Sequence, residues 1–159
     1  MPAHPGGFSK EDSEISRHLR RHAREMALQG LYAAVQGGGQ LEEIVDFVTS
    51  ESEGSTPLDA RPYCLKLLAE ALQHQEALDR IIVSKLEHWE LARVTLIDRL
   101  ILELALVEMV NFNDVPLKVS ISEAIEIAKK YSTDDSPAFI NGILDAVYHD
   151  LLKGTLSLD

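Results

Sequence analysis

Residues 92–110 are apolar on nearly every side of a helical projection, broken only by Arg93, Asp98, Arg99, Glu103 and Glu108. A surface helix carries one apolar stripe, so a helix apolar all round must be enclosed by others. The run therefore predicts a buried central helix on which the remaining elements pack. It is too short and too charged to span a bilayer, because Glu103 and Glu108 interrupt and end its most apolar part.

The rest of the chain reads as helices around that axis. Residues 1–13 hold two prolines and two glycines and no apolar pattern, and are expected to form a flexible tail, with Ser9 or Ser13 capping the first helix. That helix should run to about Gln36, where Gly37, Gly38 and Gly39 stop it. The triplet lacks the lysine and serine of a phosphate loop. Residues 41–49 space Leu41, Ile44, Val45 and Val48 as a helix does, and SESEGSTP then reads as a polar loop. A third helix opens near Asp59, with Pro62 tolerated in its first turn, and a fourth covers residues 76–86. After the central helix NFNDVP is a turn. Ser120 with Glu123 then matches a capping box for a sixth helix ending near Tyr131, and Ser136 followed by Pro137 opens the last. No stretch alternates as a strand does, and no repeat is present. The expected fold is all-α, about seven helices in a single domain over residues 14–153.

Residues 17–24 set four arginines and two histidines together with no acid among them, in a chain whose net charge is −11. Subtracting those four charges from −11 leaves −15 on the remainder, so the arginines are a local patch. At about 100° per residue, Leu19, Ala23, Met26, Ala27, Gly30 and Leu31 gather on one side of a helix while Arg17, Arg20, Arg21 and Arg24 take the other. Tyr32 projects about 20° from Arg21, three turns further along. Like charges at these spacings repel, and a solvated face would intersperse acids. The pattern suits phosphates followed by a base.

Other chemistry is thin. The single cysteine, Cys64, excludes an internal disulfide or a cysteine-rich metal knuckle and reads as a small core residue. The N-terminus has no apolar signal segment, so a cytoplasmic protein is expected. His18 and His22 are spaced as a metal pair, but no third ligand is suggested. Acids on solvated helices do not make a catalytic pair, and no nucleophile motif is present.

The segment DRLILELALVEMVNFNDVPLKVSISEAIEIAKKYSTDDSPAFINGILDAV, residues 98–147, resembles the C-terminal half of the NusB family of transcription antitermination factors, and RRHAREMALQGLY, residues 20–32, resembles that family's opening helix. Trp89 and Arg99 also match positions where the family often has such residues. The resemblance implies two packed three-helix bundles, divided here near residue 86. It implies a non-enzymatic factor that pairs with the ribosomal protein NusE on boxA-like single-stranded RNA. That complex would modify RNA polymerase and support ribosomal RNA transcription, with no cofactor.

Carried over residue by residue, the RNA contacts implied are Arg20, Arg21, Arg24 and Tyr32 on the first helix, with Asp135, Ser136, Phe139 and Asn141 at the start of the last. Arginine forks hold phosphates, rings stack on unpaired bases and an amide reads base edges. Phe139 reads equally as core, Asn141 and Gly142 as close helix packing, and Asp135 as a helix-start acid. Asp98, on an exposed edge of the central helix, is the implied contact to NusE, against an intrachain pair with Arg99 or Arg93. The chain departs from the family pattern at His22, Pro137, Ala138, Glu103 and Val107. With −15 elsewhere, RNA affinity of the chain alone is expected to be weak and salt-dependent. Two other readings stay open: a helical protein-interaction module with weakened RNA binding, and a homodimer that covers the basic face.

Overall fold

The computed structural model describes residues 10–50, 60–87 and 91–158, with side chains from Arg17 onward in the first of these. Most of the expected tail, the SESEGSTP loop beyond Ser50, Ser9 and Trp89 lie outside the described residues. The described residues form seven α-helices: α1 (Lys10–Gly37), α2 (Leu41–Ser50), α3 (Ala60–Gln73), α4 (Gln75–Ser84), α5 (Leu96–Asn111), α6 (Leu117–Tyr131) and α7 (Ser136–Leu152). No strand occurs among the described residues. Helices α1, α2 and α3 pack on one another, α5, α6 and α7 do the same, and α5 also lies against α1, α3 and α4. This is the expected all-α architecture with α5 as its axis. None of the described helices is long and apolar enough to cross a membrane.

The axis is enclosed as its composition requires, since residues 100–109 are all buried, the two acids included. It starts later than expected: Leu91–Arg93 form a single 3-10 turn, and Thr95 caps α5 by accepting the Asp98 amide at 3.2 Å. The stop after α1 is as read, with Gly38 and Gly39 at φ +72° and +118°. Gly30 has a packing reason, because a Cβ there would lie 2.9 Å from Leu68 Cδ2 and hold α1 away from α3. Gly142 has none: a Cβ meets nothing within 4 Å, which removes the close-packing explanation for it.

Three cap assignments are corrected. Ser13 lies inside α1, which already begins at Lys10. Ser120 and Glu123 are not a capping box. Pro116 (φ −60°, ψ 139°) turns the chain directly into helix at Leu117, so both residues lie within α6 and point inward. Ser136 is the first residue of α7, after Asp135 at the cap; Pro137 keeps its place in the first turn.

Glu103 shows what enclosing an acid does. It is fully buried, accepts from Gln75 Nε2 at 2.9 Å and Arg99 Nε at 3.3 Å, and shares Arg99 with Asp79 of α4. Burial, and then a hydrogen bond with Asp79, raise its pKa above the ordinary 4.5. The folded protein therefore holds a proton that the unfolded chain releases, and stability falls as pH rises from 4.5 through neutrality. Glu103→Gln mimics the neutral acid. Urea midpoints measured across this range should decline in the wild type relative to the variant, and parallel curves would contradict the assignment.

Candidate nucleic-acid interface

Three of the arginines of α1, Arg20, Arg21 and Arg24, are paired with acids of the same chain. Arg24 is 6% exposed, and its fork is taken on two sides. Nε donates to Glu108 Oε2 at 2.8 Å and Nη1 to Glu123 Oε1 at 3.2 Å. Glu108 also accepts the Tyr63 hydroxyl at 2.5 Å and the Ser120 hydroxyl at 2.6 Å. Burial and then the Glu108 charge push the Tyr63 hydroxyl far above its usual range, so it stays a donor. One cluster thus ties α1 and α3 to α5 and α6.

Arg21 shares the other side of that cluster. Its Nε donates to Glu123 Oε2 at 2.8 Å, an ion pair that raises its pKa, yet the side chain is 51% exposed and its outer edge faces solvent. Arg20 turns the other way. It donates to Asp114 at 2.9 Å and lies 4.9 Å above the Tyr63 ring. The acids missing from the octet therefore arrive from α5, α6 and their connecting turn, and the repulsion between the arginines is answered within the chain. The expectation of Arg24 as a phosphate fork is corrected: it is a buried pin.

Between α1 and the last turn of α6 runs an open groove of about 440 Å³, lined by His18, Arg21, His22, Glu25, Lys129 and Lys130 among others. Lys130 donates to Glu25 at 2.9 Å, which raises its pKa, and lies 5.3 Å from the Tyr131 ring. Tyr131 in turn accepts from Gln29 at 3.5 Å. One helical turn on from Gln29 is Tyr32, 41% exposed as read from the sequence. Tyr131 therefore lies beside the groove at Lys130, and Tyr32 follows Gln29 by one turn of α1. Lys129 and Lys130 were missed in the sequence, although two lysines ending an acid-bearing helix are a local signal for its C-terminal turn.

The α7 residues form a neighbouring depression of about 210 Å³, lined by Arg93, Thr95, Thr133, Asp135, Ser136 and Phe139, with Asp98 at its base. Asp98 is not on an exposed edge; it is 6% exposed and accepts Ser132 Oγ at 2.6 Å and Ser136 Oγ at 2.9 Å. Neither Arg93 nor Arg99 pairs with it among the described residues. Thr133 N donates to Ser136 Oγ at 3.3 Å, so the Asp98 carboxylate fixes the turn that starts α7. Phe139 is half-buried, while Asp135 and Asn141 are exposed. Cys64 is core, its thiol pushed up to about 12 by burial.

The class these elements define is an all-helical protein of two packed bundles, with a groove between α1 and α6 that sets Arg21, Lys129 and Lys130 beside Glu25 and Glu126. The NusB family model matches residues 21–149, and the chain belongs to the NusB family. It is 44% identical over 128 residues to the transcription antitermination protein NusB of Trichlorobacter lovleyi, covering 80% of this chain and 88% of that protein. It is 39% identical to the protein of that name from Chloroherpeton thalassium, covering 86% of this chain and 65% of that longer relative. A crystal structure of the antitermination factors NusB and NusE in complex with double-stranded RNA superposes with a TM-score of 0.74 at 27% identity, over 83% of this chain and 97% of that one.

Removing Arg24 leaves two buried carboxylates facing each other, whereas removing Arg21 strips a half-exposed partner from a Glu123 that Arg24 still holds. Arg24→Ala should cost about 3–5 kcal/mol and Arg21→Ala about 1 kcal/mol or less, measured by urea unfolding. Equal losses would contradict this division.

Proposed function

We propose that this chain is a non-enzymatic RNA-binding antitermination factor. It pairs with a NusE-type ribosomal protein on boxA-like single-stranded RNA, and that complex acts on RNA polymerase in ribosomal RNA transcription. The observation that carries the reading is the groove that brings Arg21, Lys129 and Lys130 together on a chain of net charge −11, with the Tyr131 ring beside Lys130 and an exposed Tyr32 further along α1. Phosphates can bridge the cations, and the exposed Tyr32 and half-buried Tyr131 rings offer faces on which unpaired bases stack. Such rings favour single strands. At the α7 depression Phe139 supplies a further stacking edge, Ser136 holds the turn, Asn141 can read base edges, and Asp135 places a negative charge that selects against misplaced phosphate. Asp98 acts through the turn it fixes, and a contact to the protein partner there would involve the surrounding backbone more than its carboxylate.

A second reading has its own observation. Arg20, Arg21 and Arg24 are all paired with acids of the same chain, which weakens their pull on RNA and favours a protein-interaction module. Self-association over the same face would weaken it further.

Fluorescence anisotropy with a boxA-like RNA, a scrambled RNA and a duplex, each with and without NusE, separates these readings. The boxA-like single strand should bind tightest, and NusE should tighten it. The Arg21→Ala/Lys130→Ala variant should lose about tenfold in affinity and flatten the salt dependence. No preference for the boxA-like strand even with NusE would overturn the RNA reading, and retained NusE binding in that case would favour the module.

A further inference from the structure

Arg21 borders two grooves. The first is the one facing the end of α6. The second, of about 330 Å³, lies on the opposite flank, between α1 and the start of α6. Arg17, Arg20 and Arg21 form its cationic wall, and Val115, Pro116 and Val119 form its apolar floor. We propose that this second groove is a nucleotide subsite, seating one further nucleotide of the bound RNA with its phosphate on Arg17 and Arg20 and its base on the valine and proline floor. The proposal rests on the RNA-binding reading and extends it beyond the first groove.

Arg17 is exposed and has no ion pair among the described residues. Arg20 lies over the Tyr63 ring and its one ion pair among the described residues is with Asp114, their side chains exposed at 36% and 62%. The bond to Arg20 keeps the Asp114 carboxyl below its usual range, so it is ionised and occupies the fork as an oxyanion does. An exposed pair of this kind is weakly held and screened by salt, and a phosphate can displace it. Glu123, the other acid at this groove, is committed to Arg21 and Arg24.

The floor decides the occupant. Val119 is 38% exposed and Pro116 is exposed, so apolar surface lies open directly beside guanidinium groups. A nucleotide presents that pair of features together, an anion and a flat apolar face. Valine and proline side chains offer no hydrogen bonds, so the subsite should accept any base. Arg21 lines both grooves, so the second lies next to the first, on the other side of the Arg21–Glu123 pair.

The test uses the full chain with NusE and labelled RNAs: a boxA-like core, and the same core extended by two uridines at one end or the other. In the wild type one of the two extensions should tighten binding by about tenfold, the scale of a phosphate contact with partial stacking. Val119→Asp puts an acid on the floor in the first turn of α6, where helices tolerate acids. Both it and Arg17→Ala should bring the extended RNA back to the affinity of the core. Tyr32→Ala should weaken core and extended RNAs alike and keep the gain. Equal affinity for the core and both extensions overturns the subsite, as does a gain that survives both groove variants. Absence of a gain together with Val119-dependent binding of an aspartate-rich peptide assigns the groove to an acidic protein segment instead. If the core is not preferred over scrambled RNA, the underlying RNA reading fails with it; a preferred core without a gain removes the subsite alone.

Discussion

The contact on which the structure depends is the buried meeting of Arg24 with Glu108 and Glu123. Burying three charges is costly, and it succeeds here because each carboxylate has further donors. Glu108 takes Tyr63 and Ser120 as well as Arg24, and Glu123 takes Arg21. The cluster draws from α1, α3, α5 and α6, so it fixes how one three-helix bundle sits on the other. The groove between α1 and α6 exists in its observed shape because those helices are pinned beneath it.

This arrangement divides a run of similar residues into different tasks. Arg24 faces inward and carries architecture. Arg21 straddles the boundary, its inner edge on Glu123 and its outer edge open. Arg20 and Arg17 face the opposite flank. The RNA reading thus depends less on the number of arginines than on which edges remain available, and it gains Lys129 and Lys130 from a helix distant in sequence. The same economy holds at Asp98, where a carboxylate that would suit a partner surface instead holds two serine hydroxyls and sets the start of α7.

Much of the fold was legible in the sequence. The all-round apolar run marked α5 as the axis, helical spacing marked the other six helices, and the glycine triplet marked the end of α1. Boundaries were less legible because local signals compete: the Ser120 and Glu123 pattern matches a cap, but Pro116 starts the helix one turn earlier. The basic run on α1 was legible, and Tyr32 in its exposure. The state of the arginines was not, since their acids lie 84 to 102 positions away and no local rule places them. The absence of nearby acids pointed to a phosphate ligand, and tertiary structure supplied carboxylates first. Asp98 misled for a related reason, because its hydroxyl partners are 34 and 38 residues distant.

The division between Arg21 and Arg24 can be observed directly by following their side-chain Nε–Hε resonances while boxA-like RNA is added in the presence of NusE. Arg24 Hε should exchange slowly with solvent and hold its position throughout, while Arg21 Hε shifts in proportion to bound RNA. A shift of Arg24 as large as that of Arg21, or an Arg21 signal indifferent to saturating RNA, would contradict the account.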